Sequence, residues 1–397
     1  MKNFVFISPN FPENYWMFCS HLKKNGLRVL GIGDCPYDQL KQELRESLHE
    51  YFKVSSLENF EEVFKAVAFF TYKYGKIDWL ESNNEYWLER DARLRTEFNI
   101  TSGFHTEDME KVKCKSAMKA YYAKAGIPTA RYHLVDGYED AVRFANTVGY
   151  PVVVKPDNGV GASSTYRLKS DEELQYFMAT KTPGVRFIME EMVKGYVLTY
   201  DAIIGAKGQP LFESGNVTPC SLMDVVNDKG DSIYYIHKDV PEDVRDAGLR
   251  TVKAFDVKSR FVHLEFFRLT QDQEGLGKEG DIIGLEVNMR PSGGYTPDMY
   301  NYAYETDVYK IWADMIAFDA STKPLGKHHY CAFVGRRDGV AYKMDHDAIM
   351  RKYGSSMKMQ GRIPDALSGA MGNIMYLVNL DTEAEREEYF RDLMEKC

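Results

Sequence analysis

Short apolar runs alternate with amphipathic stretches in the first quarter of the chain. The runs NFVFISP at 3–9 and RVLGIGD at 28–34 have the composition of buried strands, and the segment between them has helical spacing. A strand, a helix and a second strand in this order are typical of a parallel α/β unit. We therefore predict a Rossmann-like domain over residues 1–110, without the G-x-G-x-x-G fingerprint of dinucleotide binding.

The pattern of the remaining chain predicts further helices and strands. A single helix is expected over 108–124, and short strands and helices alternate after it. Strands dominate over 187–213, and two more, RFVHLEFFRL and IIGLEVNMR, flank a turn rich in Gly, Glu and Asp. A helix over 304–318 leads into a last unit that starts near residue 323. The predicted fold class is therefore α/β and α+β in several domains.

Charge and composition narrow the class of protein further. The 397 residues carry 50 Lys and Arg against 59 Asp and Glu, and a net charge of −9 does not suit a protein that tracks nucleic-acid phosphates. No apolar run approaches the roughly 18–20 residues that span a bilayer, and the first residues lack a signal-peptide pattern. The six cysteines are scattered without a C-x-x-C pair, which fits neither a disulfide scaffold nor a zinc site. We expect a cytoplasmic protein with no nucleic-acid partner and no membrane association.

The segment YPVVVKPDNGVGASSTYR carries the first candidate site. An apolar strand delivers Lys155 to a loop that contains Gly159, Gly161, Ser163 and Ser164. Backbone N–H groups of such a loop can converge on an anion, and the lysine adds a positive charge. The segment is not a Walker A motif, because no G-K-[ST] follows the glycines. Taken alone, a lysine before a Gly/Ser turn is also a common surface feature.

The second candidate site is rich in carboxylates. Glu265 lies in an otherwise apolar run, and Glu286, Asn288 and Arg290 follow one another at every second position. On a strand that spacing places all three on one face, with Leu285, Val287 and Met289 on the core side. Two carboxylates and an amide oxygen are ligands for Mg²⁺, and Arg290 can clamp a carboxylate or a phosphoryl oxygen. The alternative is ordinary alternation on a half-exposed sheet.

The third candidate site is a hinge between two strands. In RFIMEEMVKGYVLTYDAII, one strand runs into Glu190, Glu191, Met192 and Val193, and a second strand follows after a glycine turn. Such a linker can present backbone groups and one carboxylate to the edge of an adenine ring. The alternative is an acidic hairpin without a ligand.

In their order and spacing, the three sites resemble those of the ATP-grasp superfamily. The resemblance runs motif by motif from residue 111 to residue 318, and the E-x-N-x-R spacing is its most specific element. It implies two α+β subdomains that hold ATP between them, after a Rossmann-like domain. The domains are then a lid at 111–185, a central subdomain with the metal site at 186–322, and a small C-terminal α+β subdomain at 323–397.

The resemblance also implies a role for each site residue. For the phosphates of the nucleotide, it implies contacts with Lys155 and with Lys115, for which Lys113 is a substitute. The loop Asp157–Ser164 would cover the triphosphate. Glu190 would bind the adenine amino group, and the hinge would be the backbone of Glu191, Met192 and Val193. For the chemistry, it assigns the metal to Glu265, Glu286 and Asn288, and the acyl phosphate to Arg290. One position departs from the family pattern, because Val197 stands where many members have a ribose-binding glutamate.

Three further groups are candidates for contact with a substrate or with the metal site, and two of them also have a structural interpretation. Tyrosines follow the metal strand at Tyr295, Tyr300, Tyr302 and Tyr304, where they line a substrate pocket or pack in the core. Charged residues concentrate after a predicted strand end, namely Glu81, Glu85, Arg93 and Arg95. Ligands bind parallel sheets at this end of the strands, so we expect these residues to contact the amine or the carboxylate substrate. His263 shares a strand face with Glu265, so it either supports that carboxylate or is a core histidine satisfied by a hydrogen bond.

The resemblance implies the formation of an acyl phosphate from ATP and a carboxylate, followed by attack of an amine, with release of ADP. The expected cofactors are ATP and Mg²⁺, with Mn²⁺ as a substitute, and the expected partners are a small carboxylate and an amine, from an amino acid or small peptide. A homodimer is compatible with this interpretation. Two alternatives stay open: an ATP-grasp phosphotransferase, and a nucleotide-binding regulatory protein without turnover.

Overall fold

The computed structural model describes residues 1–159, 164–219 and 230–397. Its first sheet is parallel, with strand order β3-β2-β1-β4. The strands are β1 (Asn3–Ile7), β2 (Arg28–Gly33), β3 (Glu50–Lys53) and β4 (Trp79–Glu81). The helices of this part are α1 (Trp16–Lys24), α2 (Gln42–Ser47), α3 (Phe60–Tyr74) and α4 (Leu88–Glu97). The two runs with which the sequence begins are thus neighbouring strands, and β1 is buried along its whole length, as strands of parallel sheets covered on both faces are.

A second sheet, entirely antiparallel, forms the region between residues 132 and 191, with strand order β5-β8-β6-β7. Its strands are β5 (Tyr132–Leu134), β6 (Val152–Pro156), β7 (Tyr166–Leu168) and β8 (Phe187–Glu191). The helices before and between them are α5 (Met109–Lys113), α6 (Lys115–Lys124), α7 (Tyr138–Val148) and α8 (Asp171–Thr180). An apolar cluster joins α7 and α8 to β6 and β8, so both helices lie on one face of the sheet.

The helix predicted over 108–124 is interrupted. Cys114 has extended backbone angles, with φ −91° and ψ 116°, and α6 begins directly after it. Both carboxylate oxygens of Asp157 accept hydrogen bonds from Ser116, one from its N–H and one from its hydroxyl, each at 2.8 Å. This carboxylate from a distant loop satisfies the first turn of α6 as a helix cap does. The local sequence holds no helix breaker, so the prediction of one continuous helix was wrong.

Within the described residues, the third sheet has nine strands, all of them after residue 194. Its order is β14-β13-β9-β11-β12-β15-β17-β16, and β10 pairs with β9. The strands are β9 (Gly195–Ile204), β10 (Pro210–Ser214), β11 (Asn216–Thr218), β12 (Ser232–Ile236), β13 (Arg260–Leu269), β14 (Ile282–Asn288), β15 (Tyr330–Arg336), β16 (Met357–Arg362) and β17 (Ile374–Leu380). The helices are α9 (Glu242–Ala254), α10 (Thr296–Ala303), α11 (Val308–Phe318), α12 (His346–Tyr353), α13 (Asp365–Met371) and α14 (Glu383–Met394). Among the described residues, no helix has both the length and the apolar composition needed to cross a membrane.

The helix predicted over 304–318 begins later than expected. It starts at Val308, where Asp307 caps it by accepting a hydrogen bond from the N–H of Lys310 at 3.0 Å. The tyrosine-rich segment before it forms the separate helix α10, and both Tyr300 and Tyr304 are buried in the core. Packing, one of the two interpretations of these tyrosines, therefore holds for these two.

Buried charges attach the first sheet to the third. Glu81 at the end of β4 accepts hydrogen bonds from Arg95 at 3.2 Å and from Arg260 of β13 at 2.9 Å. All three side chains are at most 5% exposed, and Arg260 also donates to the carbonyl of Met289 at 2.6 Å. The hypothesis that Glu81 and Arg95 meet a ligand was therefore wrong, because both side chains are engaged in the buried ion pairs that link the two sheets.

The contact between α9 and β9 gives a test of this packing. A Cβ atom on Gly248 of α9 would lie 2.2 Å from the ring of the buried Tyr200, whereas one on Gly369 of α13 would meet no atom within 4 Å. Gly248→Ala should therefore lower the free energy of unfolding by about 1–3 kcal/mol through overpacking. Gly369→Ala should raise it by about 0.5–1 kcal/mol, since alanine favours the helix. Urea unfolding measures both values, and a gain of similar size in both variants would contradict the packing described.

Candidate active site

Six polar side chains lie on one face of three neighbouring strands. In the antiparallel register, Glu265 of β13 is opposite Thr199 of β9 and Glu286 of β14, and His263 is opposite Asp201 and Asn288. The six form two rows across the sheet, Thr199–Glu265–Glu286 and Asp201–His263–Asn288, which we call the polar grid. The side chains between them along each strand point to the other face, because the period of a strand is two.

Next to the grid, the other face of β13 and β14 packs into the core except at Leu285. Leu264, Val287 and Met289 are at most 1% exposed, as predicted for the last two. Leu285 instead is half-buried, because the register between β13 and β14 shifts after Glu265 and leaves this residue in a bulge. The prediction that Leu285 faces the core was therefore wrong.

The two glutamates of the grid differ in charge environment. Burial and the neighbouring Glu265 carboxylate raise the pKa of Glu286, although the Lys115 ammonium at 3.2 Å acts in the opposite direction. Burial would also raise the pKa of Glu265, but hydrogen bonding to His263 and the positive charges of His263 and Arg290 lower it. A cation placed between the two carboxylates would relieve their mutual repulsion.

His263 connects the two rows of the grid. Its Nδ1 lies 2.6 Å from Oδ1 of Asp201, and its Nε2 lies 3.1 Å from Oε1 of Glu265. Burial alone would lower the pKa of the imidazole, but the two carboxylates raise it to about 9. His263 is therefore a buried histidine with both ring nitrogens engaged, and Glu265 is one of its two partners.

The grid offers three oxygen ligands of the kind that Mg²⁺ prefers. One oxygen of each predicted ligand is already engaged: Glu265 with His263, Glu286 with Lys115, and Asn288 with Arg290, whose Nη2 donates to Oδ1 at 3.2 Å. The second carboxylate oxygens of Glu265 and Glu286 receive no hydrogen bond from the described part of the chain. Within those residues, no group of three His, Cys, Asp or Glu side chains is arranged to hold a metal. Two carboxylates and an amide are hard donors that fit this ion.

A cluster of lysines faces the grid. Lys115 and Lys119 lie one turn apart on α6, and Lys155 stands at the end of β6. The carboxylate of Glu190 lies between two of them, 2.5 Å from Lys119 and 2.7 Å from Lys155. Burial would raise the pKa of this carboxyl group, but the two ammonium groups lower it to about 2. Sequence reasoning missed Lys119, although its spacing of four from Lys115 places both on one helix face.

A narrow slot of about 60 Å³ opens between the second and third sheets, beside this cluster. Lys119, Lys155 and Glu190 line one part of it, and its apolar walls are formed by Ala130, Val153, Val193, Phe267 and Leu285. Apolar walls with a few polar groups at the edge are typical of ligand pockets, but this slot is far smaller than the roughly 300–1,000 Å³ of such pockets. A larger cavity of about 390 Å³, around Tyr176 and Phe177, is lined by no residue of the grid or of the lysine cluster.

The hinge residues have distinct environments. The carboxylate of Glu191 turns to Arg131, with a distance of 2.7 Å to its guanidinium. The carbonyl of Met192 accepts a hydrogen bond from Gln273 at 3.2 Å, and Val193 lines the slot. Val197, at the position of the missing glutamate, lies opposite Phe267 in the sheet and is half-buried.

The predicted phosphate loop is described only in part. Gly161 and Ser163 lie outside the described residues, and Ser164 has a positive φ of 61°. The carbonyl of Gly159 accepts a hydrogen bond from Nζ of Lys115 at 3.1 Å, so the start of the loop lies next to this lysine.

The segment that follows β4 brings Glu85 next to Arg290. Glu85 contacts Lys113 at 2.8 Å and lies 3.4 Å from Nε of Arg290. Lys113 is thus engaged with Glu85, while Lys115 is the lysine that reaches the grid. Of the four charged residues expected to meet a substrate, Glu85 therefore approaches the site, whereas Arg93 stacks on the exposed side of Phe60 at 3.7 Å.

Comparisons with known proteins agree with this geometry. Residues 110–198 match the family model of the carbamoyl-phosphate synthase L chain ATP-binding domain. An L-arginine-specific L-amino acid ligase of Bacillus subtilis is 26% identical over 241 residues, 58% of this chain and 56% of that protein. The carbamoyl phosphate synthase large chain of Methanothermobacter thermautotrophicus is 28% identical over 193 residues, 47% of this chain and 17% of that protein. The chain thus spans about half of the first relative and under a fifth of the second.

Solved structures share the fold over almost the whole chain. An L-amino acid ligase from Bacillus licheniformis aligns with a TM-score of 0.67 at 14% identity, covering 98% of this chain and 96% of that chain. A phosphoribosylglycinamide synthetase from Anaerococcus prevotii aligns with a TM-score of 0.65 at 16% identity, covering 99% and 98%. Family model, relatives and fold together indicate the ATP-grasp superfamily. The resemblance found in the sequence motifs is confirmed.

The buried Glu190 cluster predicts a pH dependence of stability. The pKa of Glu190 is held near 2, below the ordinary value of 4.5, so its ion pairs stabilise the fold above about pH 5 and are lost as the pH falls toward 2. Glu190→Gln leaves two buried ammonium groups without a carboxylate and should lower the free energy of unfolding at pH 7 by about 3–5 kcal/mol. Urea unfolding at several pH values should show the difference from the wild type shrinking below pH 5.

A matched control is Glu61→Gln, which removes the same charge from an exposed pair with Lys65. We expect a loss of about 0.3–0.5 kcal/mol or less for this control. An equal loss in both variants at pH 7, or a difference for Glu190→Gln that persists at pH 2.5, would contradict the ion-pair assignment.

Proposed function

We propose that this protein is an ATP-dependent, ADP-forming ligase that joins a carboxylate to the amine of an amino acid or small peptide. The observation that carries the proposal is the meeting of three elements in one cleft. These are the oxygen ligands of the polar grid, the lysine cluster opposite them, and the apolar slot next to Lys155 and Glu190. Together they match the needs of a purine ring, a triphosphate and a divalent metal ion.

Carboxylates already face the lysines of the cleft before any ligand enters. Three ammonium groups, those of Lys115, Lys119 and Lys155, face three carboxylates, those of Glu190, Glu265 and Glu286. In our proposal Lys115 and Lys155 neutralise phosphate oxygens, since both are nearly buried and lie beside the grid. Mg²⁺ held by Glu265, Glu286 and Asn288 would supply further charge neutralisation. Phosphoryl transfer asks mainly for such positioning and electrostatic stabilisation, and needs no nucleophilic side chain.

Arg290 is the proposed contact of the reacting carboxylate. Its guanidinium lies next to Asn288 of the grid and next to Glu85 in the segment after β4. A planar guanidinium can hold two oxygens of a carboxylate or of an acyl phosphate at once. Glu85 is the nearest acidic group beyond it, and we propose that it faces the amine substrate.

The relatives support an amino acid as substrate. A curated relative is named as an L-arginine-specific L-amino acid ligase, and a solved structure of the same fold is an L-amino acid ligase. The other relatives act on different small molecules according to their names, so the identity of the two substrates is a matter for experiment.

The proposal is tested by measuring ADP and phosphate release with Mg-ATP against amino acids, singly and in pairs, with mass spectrometry of the products. A ligase gives ADP, phosphate and a product whose mass is the sum of the two substrates minus water. ADP with a phosphorylated acceptor and no free phosphate would instead establish a phosphotransferase. Nucleotide binding without any turnover across amino acids and dipeptides would favour the regulatory interpretation.

The metal assignment makes a separate prediction. Glu286→Gln keeps the size of the side chain but removes one of two anionic ligands, so we expect turnover to fall by about 10²-fold or more at saturating Mg²⁺. The control is Glu279→Gln, an exposed carboxylate in the hairpin that joins β13 to β14. It should leave turnover unchanged, and both variants should keep the circular dichroism spectrum of the wild type. Full activity of Glu286→Gln would contradict the assignment.

A further inference from the structure

Within the described residues, each of the three proposed metal ligands contacts one side chain: Glu265 contacts His263, Glu286 contacts Lys115, and Asn288 contacts Arg290. These three partners differ in whether a bound ligand would compete for them. Lys115 and Arg290 are the groups that the proposed function assigns to phosphate and substrate, so their contacts with Glu286 and Asn288 compete with a ligand. His263 has no such second task. It is 7% exposed, and both ring nitrogens are engaged with carboxylates.

A chain of buried hydrogen bonds holds His263 in place on the Nδ1 side of its ring. The N–H of Asn216 donates to the hydroxyl oxygen of Thr199 at 3.0 Å, and this hydroxyl donates to Asp201. Asp201 is fully buried, and its other oxygen lies 2.6 Å from Nδ1 of His263. The imidazole is thereby held with its Nε2 directed at Oε1 of Glu265.

We propose that His263 is a positioning residue for the metal site, which holds Oε1 of Glu265 so that its other carboxylate oxygen is presented to Mg²⁺. This inference rests on the proposed function, because it concerns a ligand assigned there. Without the imidazole, the Glu265 side chain, about a quarter exposed, is free to sample other rotamers. Partners that orient a metal ligand in this way are typically worth about 10–100-fold in metal affinity.

The competing explanation is purely structural. In that case His263 serves to fill the site and to satisfy the buried Asp201, and its contact with Glu265 has no consequence. The two explanations make opposite predictions for two conservative variants. Asparagine places its amide nitrogen near the position of Nδ1 and keeps the donor to Asp201, whereas glutamine places it near Nε2 and keeps the donor to Glu265.

The experiment compares Mn²⁺ binding in the presence of ADP, measured by the electron paramagnetic resonance signal of free Mn²⁺. We expect His263→Gln to bind Mn²⁺ nearly as tightly as the wild type and His263→Asn to bind it about 10–100-fold more weakly. The melting temperature should follow the reverse order, since the Gln variant leaves the buried Asp201 without its main donor. Where amide formation is measurable, the Mg²⁺ concentration for half-maximal rate should rise in His263→Asn more than kcat falls.

The inference is overturned if the two variants have the same Mn²⁺ affinity, or if the Gln variant is the weaker binder. Should His263→Gln fail to fold, the double variant Asp201→Asn, His263→Gln removes the uncompensated buried charge while keeping the donor to Glu265. Its Mn²⁺ affinity should then exceed that of the matching double variant with Asn at position 263, and equal affinities would overturn the inference.

The readout also separates this inference from the proposed function. If the wild type binds Mn²⁺ with ADP but forms no amide from any pair of substrates, the ligase proposal fails while the comparison of the variants still decides the role of His263. If the wild type with ADP binds no Mn²⁺, the metal assignment and this inference both fail.

Discussion

The register of β13 between β9 and β14 is the constraint on which the whole site depends. It sets Glu265 opposite Glu286 and His263 opposite Asn288, and it brings Asp201 within reach of the imidazole. A shift of one residue would turn the entire polar face into the core, where its charges would lose their partners. The apolar residues between the polar ones, such as Leu264 and Val287, make that shift costly, because they would leave the core at the same time.

Ion pairs of α6 with the second and the third sheet hold the lysines of the cleft close to the polar grid. Glu190 of the second sheet pairs with Lys119 of α6, and Lys115 of the same helix reaches across to Glu286 of the third sheet. The break at Cys114 matters here, because it starts α6 at the residue that has to reach the grid. A ligand in the cleft would therefore contact groups that already link the two sheets, so binding and the relative position of the sheets are physically coupled.

The sequence predicted those parts of the site that depend on local spacing. Glu286, Asn288 and Arg290 could be placed on one face because the period of a strand is a local property, and Lys155 because it ends an apolar run. The spacing of four from Lys115 could have pointed to Lys119, but the contacts of Lys119 with Glu190 and of Glu85 with Arg290 depend on which elements meet in space. The bulge at Leu285 and the cap of α6 by Asp157 have the same origin, since each is imposed by a partner distant in sequence.

The C-terminal region is joined to the site through the sheet. In the region predicted as a C-terminal α+β subdomain from residue 323, β15 pairs with β12 along five residues, and β12 pairs with β11 next to β9. The strands after residue 323 thus extend the sheet that carries the polar grid, and β12 is an inner strand because β15 covers its edge. An inner strand has both rows of its backbone groups satisfied, whereas an edge strand leaves one row open and is more easily displaced. The C-terminal strands therefore support β11 and β9, and through them the row that positions Asp201 against His263.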